Sequence, residues 1–142
     1  MEKISGKDIK EVKKAQEMFY EALNKADIEM MEQVWVAGGR AKCIHPGWPV
    51  IKGWDAIKAS WMSIFESGEL ASIEMSDVMI DVGEKAALAN CVEKLNHFVE
   101  GNVVVTFAQA TNIFEITDSG WKITLHHASP IPVKSTPEDE LQ

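Results

Sequence analysis

His45 lies in the stretch CIHPGWPVIKGW (43–54), immediately before Pro46-Gly47 and close to Trp48 and Trp54. An ordinary imidazole ionises near pH ~6.5, so a neutral one can take a proton from an activated carbon or a water. The position therefore admits three roles: general base, metal ligand, or a residue that caps the Pro-Gly turn. A metal role finds little support in the pattern. The other histidines are His97, His126 and His127. Neighbours on a strand point to opposite faces, so His126 and His127 do not grip one ion. There is no HxH, HxxxH or CxxC spacing, and no metal or other cofactor is expected. Gly-rich phosphate loops, a Ser-His-Asp order and paired catalytic carboxylates are also missing, and Glu93 and Lys94 fall on opposite sides of one strand.

The elements that must position His45 follow from periodicity. In residues 8–26, Ile9, Val12, Ala15, Phe19, Leu23 and Ala26 recur in steps of three and four, which predicts an amphipathic helix. Asp8 with Glu11 fits a capping box. Asp27 restarts a shorter helix carrying Ile28, Met31, Val34 and Trp35, which Ala37-Gly38-Gly39 would end. CIH (43–45) and PVI (49–51) read as a small strand pair around the Pro-Gly turn. Asp55 would cap a third helix with Ile57, Trp61, Ile64 and Phe65 on its apolar face. Residues 72–82, 86–98, 103–116 and 121–129 are rich in Val, Ile, Thr and Phe, and VGEK, EGN and TDSG form hairpin turns between them. Helices followed by strands predict an α+β fold: three N-terminal helices packed on a strongly curved, mainly antiparallel sheet. Residues 1–132 form one domain and the acidic stretch 133–142 a flexible tail.

Composition narrows the function classes. The 142 residues carry a net charge of −8, with 46% hydrophobic and 25% charged residues, which suits a single soluble domain. Thirteen lysines and one arginine, Arg40, leave no basic patch, so no nucleic-acid partner is expected. No apolar run approaches the roughly 18 residues of a membrane span, and no leader opens the chain, so the expected location is cytoplasmic, with no membrane partner. The outer sheet face is too apolar to lie wholly in water, and a homodimer formed sheet to sheet is expected.

Three stretches, FYEALNKADIEMMEQVW, IHPGWPVIKGWDAI and ATNIFEITDSGWKITLHHASP, resemble the superfamily of nuclear transport factor 2, ketosteroid isomerase and the SnoaL-like cyclases. The resemblance covers residues 8–132 and implies a cone-shaped fold with an apolar pocket. It puts His45 at the isomerase's general-base position and Asn112 at that of its neutral carboxylic acid. Phe19 falls at the position of its hydrogen-bonding tyrosine, with Tyr20 next door on the other side of the helix. One acid and the tyrosine are thus replaced, and steroid isomerisation by that mechanism is not expected. If the strand of Asn112 follows the isomerase, alternation turns Ala108, Ala110, Asn112 and Phe114 toward the cavity, with Leu125, His127 and Ser129 from the last strand and Leu88, Asn90 and Val92 from the second long one. Trp48 and Trp61 would wall the opening. The implied function is a pocket for a small, mostly apolar organic ligand. If it is catalytic, a cofactor-free isomerase, dehydratase or cyclase would use His45 as base and Asn112 and His127 as polarising groups. The alternative is a non-catalytic ligand-binding or protein-interaction module of the same fold.

Overall fold

The computed structural model describes residues 6–132; the expected tail at 133–142 lies outside them. In chain order the elements are α1 (Gly6–Lys25), α2 (Ile28–Val34), β1 (Lys42–Ile44), β2 (Ile51–Lys52), α3 (Trp54–Ser67), β3 (Leu70–Val82), β4 (Ala86–Val99), β5 (Asn102–Thr117) and β6 (Gly120–Ile131). The α+β class is as expected. The sheet, however, has six strands in the order β2-β1-β6-β5-β4-β3, because the short strand of Cys43 joins the meander by pairing parallel with β6. That pairing sets Ile44 opposite His127 and brings His45 to the mouth of the fold.

Val12, Gln16, Phe19, Tyr20 and Leu23 of α1 are buried. Asp8 lies inside this helix and accepts from Trp121 Nε1 at 3.2 Å, so the expected capping box is not made. Asp27 does cap α2, accepting from the Met30 N–H at 3.0 Å. That helix ends at Val34 rather than at the glycines. Trp35 turns extended to bridge Ile123, and Val36 N–H donates to Ile123 O at 2.9 Å, so pairing with the sheet stops the helix. Likewise α3 starts from Gly53, not Asp55. Gly53 sits at φ 90°, a conformation open mainly to glycine.

Hairpin turns set which sheet residues face the helices. Glu100 and Gly101 both have positive φ (50° and 81°), a two-residue turn that places Val99 opposite Asn102. Ala89 consequently faces Asn112, and Glu93 faces Ala108. The buried face of β4 is therefore Ala87, Ala89, Cys91, Glu93 and Leu95, not Leu88, Asn90 and Val92. In β6, Ile113 pairs with Leu125 but Phe114 pairs with Ile123, so Thr124 is one residue too many. This bulge reverses the alternation: Trp121 and Ile123 point inward before it, His126 and Ala128 after it.

Candidate functional site

Between α1, α3 and the inner sheet face lies a cavity of about 260 Å³. It is at the small end for ligand pockets. Leu23, Trp48, Trp61, Ile64, Leu70 and Ile73 supply apolar wall; the polar groups are His45, Glu93 and His126, with Ser67, Glu69 and His97 alongside. Of the residues singled out in the sequence, His45, Trp48 and Trp61 are placed at this cavity. The structure corrects the other placements. Phe19, Asn112 and Phe114 are fully buried in the core and do not line the cavity. Asn90, Val92, Leu125, His127 and Ser129 fall on the far side of the sheet, by the register and the bulge described above. Tyr20, expected on the other side of the helix from Phe19, is buried beside it with ring centroids 4.9 Å apart.

His45 is buried and packed on two sides by aromatic rings. Its ring meets Trp61 edge-on at 4.5 Å and Trp48 at 4.9 Å. Ser60 uses its own proton on Ile57 O at 2.6 Å, so the His45 Nε2–H donates to Ser60 Oγ at 2.9 Å. The lone pair then rests on Nδ1, whose one polar partner among the described residues is the Cys43 thiol at 3.9 Å, which also lies 3.8 Å from Nε2. Burial lowers the His45 pKa to about 4, so the ring is a neutral base at physiological pH.

A second polar system runs behind the cavity wall. Asn112 Nδ2 donates to Gln16 Oε1 at 2.8 Å, so its Oδ1 accepts from His126 Nδ1–H at 2.6 Å. Gln16 Nε2 donates to Cys91 Sγ at 3.7 Å, and Tyr20 donates its hydroxyl proton to Glu93 Oε2 at 2.7 Å. With that proton committed, the 3.1 Å contact of Cys91 with Tyr20 is made by the thiol donating to the phenol oxygen. One directional chain thus joins His126, Asn112, Gln16, Cys91, Tyr20 and Glu93. Asn112 does not reach a ligand, because it is fully buried in the core and does not line the cavity; it positions His126.

Glu93 carries the strongest chemical signal. Burial raises its pKa to about 7, and the Tyr20 hydrogen bond lowers it only in part. A carboxyl that is partly protonated at neutral pH can give or take a proton. Burial, followed by His45 and His127, lowers the His126 pKa to about 3. Burial pushes Tyr20 and both thiols upward, Cys91 to about 11. Strand alternation alone does not find Glu93 and His126, because the β4–β5 register and the bulge at Thr124 decide which face each takes. The two-residue Glu100-Gly101 turn was the signal that could have revealed Glu93. No three His, Cys, Asp or Glu side chains among the described residues form a group that could hold a metal ion.

A layer of helices over one face of a mixed sheet, with a cavity between them, is the cystatin-like fold. The SnoaL-like domain model matches residues 12–134, and the chain belongs to that family. A crystal structure of a candidate dehydratase of the NTF2-like family from Streptomyces avermitilis is similar at 30% identity, covering 91% of this chain and 100% of that one, with a TM-score of 0.82. A candidate calcium/calmodulin-dependent protein kinase type II association domain from Thiobacillus denitrificans is 26% identical, covering 84% and 94%, with a TM-score of 0.74. A ketosteroid isomerase-like protein from Erwinia carotovora atroseptica, 18% identical over 91% and 100% with a TM-score of 0.75, shares the fold. No curated protein matches the chain.

Proposed function

We propose that the protein is a dehydratase-type proton-transfer enzyme acting on a small, mostly apolar organic molecule, with His45 as base and Glu93 as acid. The observation that carries this is the presence of a neutral imidazole and a half-ionised carboxyl in one apolar cavity. The similarity to a candidate dehydratase supports it. His45 Nδ1 takes a proton from the carbon next to an activating group. The electrons of that C–H bond form the C=C bond as the adjacent C–O bond breaks. Glu93 gives its proton to the departing hydroxyl, which leaves as water. The imidazolium then returns its proton to the Glu93 carboxylate through the released water, so the site supplies its own acid and base.

A panel of small β-hydroxy carbonyl compounds tests the reading by the appearance of the conjugated product. With a turned-over compound, kcat/KM is expected to be level between about pH 4 and 7. It falls below as His45 protonates and above as Glu93 ionises. Both His45→Gln and Glu93→Gln are expected to lower kcat by about two orders of magnitude or more while leaving the fold intact. Full turnover in either variant, or a limb near pH 7 that persists in Glu93→Gln, removes the assigned role.

A second reading concerns assembly. Phe98, Val103, Val105 and Phe107 are exposed on one face of β4 and β5, with Phe98 directly opposite Val103. This apolar face, away from the cavity, suits a second copy of the chain and supports a sheet-to-sheet homodimer.

A further inference from the structure

The hydrogen-bond directions behind the cavity wall fix what the wall offers a ligand. Asn112 Oδ1 accepts and therefore holds the proton of His126 on Nδ1. The Nε2 of His126 is then a lone pair, with no partner among the described residues, on a buried ring that lines the cavity. It asks the ligand for a donor. Glu93, whose Oε2 is occupied by Tyr20, brings a carboxylic proton and asks for an acceptor. The lining carboxyl groups are those of Glu69 and Glu93, and neither lysine nor arginine lines the cavity.

We infer that the ligand is an uncharged organic molecule bearing a hydroxyl group that donates to His126 Nε2. A hydroxyl both donates to a lone pair and accepts from an acid. An ammonium group cannot accept, and an ether or a bare ketone cannot donate. A carboxylate accepts but brings no donor for His126, and its charge meets neither lysine nor arginine in the lining. His126 is thus a specificity-determining residue, and Asn112 and Gln16 are the positioning residues that hold its tautomer. The inference rests on the dehydratase reading for the fate of the hydroxyl, but the hydroxyl preference itself follows from hydrogen-bond polarity.

Three probes of similar shape test it by calorimetry and tryptophan fluorescence on the full chain: resorcinol, meta-difluorobenzene and benzoate. Resorcinol is expected to bind about tenfold more tightly than meta-difluorobenzene, the worth of one net hydrogen bond, with benzoate the weakest of the three. Nitrogen NMR of histidine-labelled protein is expected to show His126 protonated on Nδ1 only, with the Nε2 resonance moving when resorcinol is added. In His126→Phe the preference for resorcinol is expected to fall to the part that the Glu93 contact supplies, and an unchanged preference would overturn the role of His126. Equal or inverted affinities, tightest binding of benzoate, no binding of resorcinol, or a proton on Nε2 would each overturn the inference. The NMR measurement stands even if the variant fails to fold. Lack of turnover with the hydroxyl preference intact removes the dehydratase reading and upholds this one.

Discussion

Glu93 couples the chemistry of the site to the stability of the fold. Its pKa rises from an ordinary 4.5 to about 7 on folding, so between those values the folded state binds more protons than the unfolded one. The resulting stability is fully present below about pH 4.5 and is lost as the pH rises through 7. The difference is worth about 3 kcal/mol. Glu93→Gln cannot ionise and retains that stability. Denaturant titration is expected to show the variant gaining on the native chain by up to about 3 kcal/mol between pH ~4.5 and pH ~8. A constant difference across that range would mean that Glu93 is not held in its acid form. His45 and His126 act with the opposite sign. Their folded pKa values, about 4 and about 3, lie below the ordinary 6.5, so their contribution is present above pH 6.5 and is lost as the pH falls toward those values.

Two local backbone features decide which elements carry the site. The Thr124 bulge turns His126 inward and His127 outward, and the glycine at φ 90° starts the helix that carries Ser60 and Trp61. A Cβ at Gly53 would meet the Gly39 Cα at 3.7 Å, an ordinary contact, so the cost of a side chain there lies in the backbone conformation. Gly53→Ala is expected to lower stability by about 1–3 kcal/mol, read as a reduced melting temperature. An unchanged melting temperature would show that this turn relaxes freely. Legibility followed the same division. The helices and strands could be read from sequence because apolar spacing and turn residues are local signals. The facing of β4 and β6 could not, since one unpaired residue exchanges the two faces without altering composition.

For the molecule as a whole, the two sheet faces divide the work: the inner one closes on the helices around the cavity, and the outer one presents Val103 (60% exposed) and Phe98 (53%) to its surroundings. If that outer face joins two copies, Val103→Lys should halve the mass measured by sedimentation and leave the fold unchanged. A native chain that is monomeric at micromolar concentration would dismiss the homodimer. No helix among the described residues is long and apolar enough to cross a membrane.

The sequence alone determined the α+β class, the order of elements and the Asp27 cap, because each depends on residues near one another in the chain. Only the tertiary structure decided which histidine of the His126-His127 pair enters the core and that Glu93 faces His45's cavity. It alone also revealed that Tyr20 and Asn112 serve them from behind. Those facts depend on strand register and on hydrogen bonds between residues as far apart as Gln16 and Asn112, and local pattern carries no record of either.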